Sequence, residues 1–120
     1  MPNQPTPSVT HEDVKRIVSR EFPRESDKGI LDILRQYEGD SPRGTARVQL
    51  AALRLASGSV ERLRSAIETA KQDYRDVLAA AEYPEYSRLV GFSSKLSPQE
   101  VQRIVDSDWK QYSDWLARKY

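Results

Sequence analysis

Apolar residues return at helical spacing in five stretches of the chain. Val14, Ile17, Val18 and Phe22 form the first stripe, opened by a capping-box-like Thr10 and Asp13 and stopped by Pro23. Ser26 and Asp27 can cap a second short helix, whose stripe Ile30, Ile33, Leu34 and Tyr37 ends at Gly39 and the loop GDSPRG. Ser41 and Pro42 read as N-cap and first residue of a third, and the segment ARVQLAALRLA after them is apolar on nearly every side, as expected of a helix at the centre of a bundle. At about 100° per residue it leaves one wet strip with Arg43, Arg47 and Arg54, and Gln49 falls roughly opposite.

Ser57, Gly58 and Ser59 end that helix and cap a fourth from Val60 to about Tyr83. Its face carries Leu63, Ala66, Ile67, Ala70, Tyr74, Val77, Leu78 and Ala81. An unbroken helix there would span roughly 35 Å, the length of a small domain. Pro84 interrupts it, and EYPEYSRLVGFSSK reads as a loop with a single helical turn that gathers Tyr83, Tyr86 and Phe92. Ser97, Pro98 and Glu100 then open a last helix through Val101, Ile104, Val105, Trp109, Tyr112, Trp115 and Leu116, with Tyr120 beyond. No segment alternates as a half-buried strand does, and no unit repeats. The pattern predicts an all-α fold: an irregular bundle of about five helices around a long central one. Residues 1–9, with three prolines and no charged side chain, are expected to be a flexible tail before a single helical domain at 10–120.

Composition narrows the classes of function. The chain of 120 residues has room for one core. It is 38% hydrophobic and 31% charged with a mean hydropathy of -0.74, which gives a heavily solvated exterior. Nineteen Lys and Arg against eighteen Asp and Glu leave a net charge of +1, so no global field draws in nucleic acid or an acidic membrane. There is no cysteine, hence no disulfide, thiolate metal site or Cys nucleophile. No apolar run approaches the roughly 18 residues of a membrane span, and no basic segment followed by an apolar one opens the chain. A cytoplasmic protein is expected.

Candidate chemistry is sparse. His11, the one histidine, has no nucleophile or carboxylate motif beside it and reads as a surface residue near a cap. Without zinc-binding spacings, neither a metal nor another cofactor is expected. Asp73 and Asp76 could hold a hard cation or form an acid–base pair, but the wheel favours Asp73 paired with an arginine of a neighbouring helix and Asp76 in solvent. Asp108 stands out because it falls among Ile104, Val105, Tyr112 and Trp115. A carboxylate inside an apolar stripe must meet a cation, accept hydrogen bonds or face a groove. An ion pair with Arg47, Arg54 or Arg88 is favoured over a binding pocket.

Arg43, Arg47 and Arg54, followed by Arg62 and Arg64, face only Glu61 over residues 43–64. Such a strip suits phosphates, carboxylates or the domain's own Asp73 and Asp108. The helix, Ser-Gly-Ser turn and helix outline a helix-turn-helix, but aligning Gly58 with the turn glycine puts Arg54 and Arg64 where small and apolar residues pack. Aromatics and arginines together are the residue types of protein interfaces.

The stretches RVQLAALRLASG and AKQDYRDVLAAAEYPEYSR, above all QDYRDVL followed by AEYPE, resemble a family of short, uncharacterised bacterial all-helical proteins over about residues 46–88. The resemblance implies a bacterial, soluble, all-helical protein and no activity. By exclusion and by residue type, the sequence points first to a non-catalytic protein-binding module, an adaptor or an immunity- or antitoxin-like factor. Its binding residues would be Arg43, Arg47 and Arg54, Tyr83 and Tyr86, and Asp108, engaging a protein partner and no membrane. The alternative is a nucleic-acid-binding helical domain, and a carboxylate enzyme using Asp73 and Asp108 ranks last.

Overall fold

The computed structural model describes residues 3–90 and 96–119, and of Val90 only the backbone. Six helices follow one another: α1 (His11–Glu21), α2 (Asp27–Leu34), α3 (Pro42–Ala56), α4 (Val60–Glu82), α5 (Pro84–Val90) and α6 (Pro98–Ala117). There is no strand among the described residues, so the fold is an all-α bundle. Phe92 and Tyr120 lie outside the described residues.

Serines set most of the helix starts. Ser26, Ser41, Ser59 and Ser97 each accept the backbone N–H of the residue three further on, Gly29, Gly44, Arg62 and Glu100. Each bond satisfies one of the donors a first helical turn leaves orphaned. Between α3 and α4 the chain turns on two successive left-handed residues, Ser57 (φ 47°) and Gly58 (φ 81°). At the second the positive φ favours glycine, while a Cβ there would only touch the Glu21 carbonyl of α1 at 3.4 Å.

α3 occupies the centre. Ala46, Val48, Leu50, Ala51, Ala52, Leu53 and Ala56 are buried around its circumference, against Val14, Ile17 and Val18 of α1 and Leu63 and Ile67 of α4. Small residues on α3 let its neighbours approach closely, and larger ones on the neighbours fill the remaining space. Gln49 is buried as well. Its amide donates to the carbonyls of Leu34 at 2.9 Å and Tyr37 at 3.4 Å, and thereby closes the C-terminal end of α2.

α6 is fastened at its C-terminal end by α1. Arg16 donates to the Leu116 carbonyl at 2.6 Å, and Arg20 donates to those of Trp115 at 2.7 Å and Arg118 at 2.5 Å. Cations at that end also meet the negative pole of the helix dipole. The Pro-rich segment ahead of α1 lies along the bundle, with Val9 buried in the common core.

The bundle has one more helix than the hydrophobic pattern predicts. α5 replaces the expected loop because its start is capped from a distance: Asp108 of α6 accepts the N–H groups of Glu85 and Tyr86, and Pro84 ahead of them has none to satisfy.

Candidate functional site

α4 is not the unbroken helix its stripe predicts. At Asp73 the backbone leaves the helical region (φ −156°, ψ 98°), and the Asp73 carboxylate accepts the N–H of Arg75 at 3.0 Å. Asp73 is thus the N-cap of a second helical piece within α4. The Arg75 guanidinium folds back onto the same carboxylate at 3.0 and 3.3 Å. These side-chain bonds, with the backbone N–H second, hold the Asp73 carboxyl below its ordinary range. The expected pairing with a neighbouring helix is therefore corrected: the partner lies two residues along the same chain.

Across the break Val77 and Ala81 keep the places the uninterrupted stripe gives them, and Tyr74 and Glu82 depart from it. Leu63, Ala66, Ile67 and Ala70 are buried before it, and Val77, Ala81 and Glu82 after it. Tyr74, assigned to the apolar face by uninterrupted periodicity, is instead 47% exposed. Glu82, which that periodicity left unmarked, is turned into the bundle with its side chain 1% exposed.

Arg47 meets it there. The guanidinium Nε donates to Glu82 Oε2 at 2.9 Å and Nη2 to Oε1 at 2.7 Å, a two-pronged fork joining α3 to the end of α4. The hydrogen bonds it donates to Glu82 hold the Arg47 guanidinium above its ordinary range. Next along the chain, Tyr83 is buried and its phenol is pushed up to about 12, chiefly by burial and further by the Glu82 charge. Its hydroxyl donates to the Pro5 carbonyl.

Two grooves meet at this arginine. The larger, about 690 Å³, runs between the 37–41 loop and the break in α4, with Tyr37 and Tyr74 among its lining residues. The smaller, about 310 Å³, lies where Tyr83 and Tyr86 approach the Pro-rich segment. Arg47 and Leu78 line both, so the two grooves adjoin there across α3 and α4. On the other side of the 37–41 loop, His11 and Arg35 border a further hollow of about 480 Å³.

The structure brings Arg47, Tyr83 and Tyr86 together and separates the other sequence-derived candidates. Arg43 is exposed on the first turn of α3. Arg54 turns to α6, where it donates to Gln111 Oε1 at 2.7 Å and lies 5.6 Å over the Trp115 ring. The arginine strip is therefore not one free cationic surface, because Arg47 is neutralised by Glu82 and Arg54 covers an aromatic ring. Asp108 is buried at 2% exposure, as its place in the stripe requires, but the favoured ion pair with Arg47, Arg54 or Arg88 is absent. Backbone amides of α5 take that role. Burial raises its carboxyl above the ordinary range, and the N–H groups of Tyr86 and Glu85 pull it back. Asp73 and Asp108 serve separate caps, so they do not form an acid–base pair.

Comparison with family models, curated proteins and solved structures gives no match to this chain. Among the described residues, no three His, Cys, Asp or Glu side chains come together as metal ligands would, and no helix is long and apolar enough to cross a membrane.

Proposed function

We propose that the protein is a non-catalytic, cytoplasmic protein-binding module of the adaptor or immunity and antitoxin kind, which holds its partner in the trough running from Tyr37 and Tyr74 past Arg47 to Tyr86. The observation that carries this reading is that two grooves share Arg47 and Leu78 as lining residues, with tyrosines lining each. Tyrosine offers a large amphipathic surface with few rotors to freeze, which is why it is enriched at the energetic centres of interfaces. The rim is of mixed sign, Glu38 and Asp40 on the loop facing Lys71 and Arg75 on α4. Such a rim orients a protein partner and gives little hold on a uniform phosphate backbone.

Affinity capture from lysate, with nuclease treatment as a control, tests the reading. A partner retained by wild type and by Arg62→Glu, but lost with Tyr74→Ala and Tyr86→Ala, would support the trough as the binding face. Capture abolished by nuclease or by Arg62→Glu would favour nucleic acid and overturn it.

A further inference from the structure

Residues 3–9, Asn-Gln-Pro-Thr-Pro-Ser-Val, lie between the end of α4 and the N-terminal part of α6 in an extended, ligand-like manner. Their burial alternates: Pro5 and Pro7 are half-buried and Val9 is buried, while Gln4, Thr6 and Ser8 are exposed. A period of two is that of an extended chain with one face against a surface. That surface consists of helices, which offer no free backbone ladder, so side chains must read the segment's main chain. They do so at two points. Gln102 of α6 accepts the Asn3 N–H at 2.8 Å and returns its own amide N–H to the Asn3 carbonyl at 3.1 Å. The same amide also donates to Asp106 one turn on, at 2.9 Å, which fixes its orientation. Tyr83 supplies the second point through its hydroxyl on the Pro5 carbonyl.

Two of the three inward positions, Pro5 and Pro7, are prolines, and the third, Val9, is aliphatic. Proline has no N–H that would need a partner at a helical surface and is already restricted toward an extended backbone. The clamp reads only main-chain atoms of Asn3 and Pro5, so it selects a backbone shape and a proline spacing rather than particular side chains. The segment joins the domain through Thr10 at the start of α1; lifting it out leaves the helices' own caps in place but vacates the Val9 position of the core, which an aliphatic residue of a partner would refill.

We propose that this surface is a receptor for an extended partner peptide of the pattern Pro-x-Pro-x-aliphatic, and that residues 3–9 occupy it in the isolated chain as a displaceable internal ligand. The proposal rests on the protein-binding reading and names the chemistry of the partner at the Tyr83 end of the trough.

The test is fluorescence anisotropy with a labelled peptide of residues 1–10 titrated into the full chain. Two variants loosen the internal segment: Pro5→Asp with Pro7→Asp, and the milder Asn3→Pro, which removes the N–H that Gln102 accepts. Circular dichroism checks that each folds. The loosened chains should bind the added peptide at least tenfold more tightly than wild type. Adding Gln102→Ala or Tyr83→Phe should weaken that binding at least fivefold, and a peptide with both prolines replaced by alanine should bind less well. Absence of binding to folded Asn3→Pro, or binding indifferent to Gln102→Ala, overturns the proposal. So does a concentration-dependent dimer lost on Gln102→Ala, because the occupant would then be the same segment of a second copy. The assay uses purified components, so its failure beside successful capture through Tyr74 would remove this inference and leave the binding-module reading standing.

Discussion

Arg47 and Glu82 form a forked ion pair in which the carboxylate is 1% exposed and the guanidinium 30%. The burial is lopsided, and the two single truncations should therefore differ. Arg47→Ala leaves an acid inside the bundle without a counter-charge and should destabilise by about 3 kcal/mol. Glu82→Ala leaves an arginine that can still reach solvent, so its cost should be smaller. The double variant Arg47→Met with Glu82→Leu should recover most of the loss, because apolar side chains of similar size avoid the desolvation of both charges. Urea denaturation of the three proteins checks the order. Equal losses in the two single variants would show that the pair behaves as an exposed one.

Asp108 should leave a mark on the pH dependence of stability. Its carboxyl is raised by burial, so between its unfolded and folded values the native state binds more protons than the unfolded one. Its contribution is then fully present below the unfolded value, around 3.8, and is lost as pH rises through the folded value. Asp108→Asn removes that titration while keeping one oxygen to accept from α5. The wild type's advantage over Asp108→Asn should therefore shrink as the pH is raised from 3 to 6, with an overall cost of about 1 kcal/mol for the lost second acceptance. An advantage that grows over the same range would mean that the amides of Glu85 and Tyr86 outweigh burial.

These two acids also mark what the chain makes legible. Stripes and caps are local, and they place α1, α2, α3 and α6 and the serines that start the later helices. Asp108 is marked as exceptional by its position in a stripe, but the groups that satisfy it are backbone amides more than twenty residues away. Backbone amides have no sequence signature. The same blindness hid α5, whose start depends on that acid. Glu82 carries no signal, because it falls off the periodic stripe and is held inside the bundle by Arg47, a partner from another helix. Of the arginine strip, spacing gave the common face, whereas the partners that consume Arg47 and Arg54 come from α4 and α6. The contacts of the Pro-rich segment, from Asn3 to Gln102 and from Pro5 to Tyr83, have no local signature either, because their partners lie on α6 and at the end of α4.

The break in α4 has two candidate causes, the Asp73 cap and the packing on either side of it. Ala70 before the break and Val77 and Ala81 after it are buried, and Glu82 is tied to Arg47, so packing fixes the register of both pieces independently. Asp73→Ala should accordingly lower the urea midpoint slightly through the lost cap, with no gain in helical signal at 222 nm. A rise in helical signal at unchanged stability would show that the carboxylate imposes the break. Tyr74 would then be expected to fold back into the stripe, closing the larger groove and taking one end of the trough with it.

Arg20 supports a last prediction, because four contacts converge on one side chain that is only 3% exposed, one of them an ion pair of Nε with Glu21 at 3.3 Å. One nitrogen donates to the carbonyls of both Trp115 and Arg118, and the guanidinium carbon lies 5.0 Å over the Trp115 ring. A flat guanidinium can stack and donate in its own plane at the same time, and an ammonium cannot. Arg20→Lys should therefore behave more like a truncation than a conservative change, at a cost of about 2 kcal/mol, since hydrogen bonds from charged donors carry that much and the carbonyls would lose an aligned partner. Amide hydrogen exchange over the last turn of α6 should also quicken in Arg20→Lys, while Arg16→Lys, whose contacts are more exposed, changes little. Full rescue by lysine would assign the position to charge alone and remove the stacking from the account.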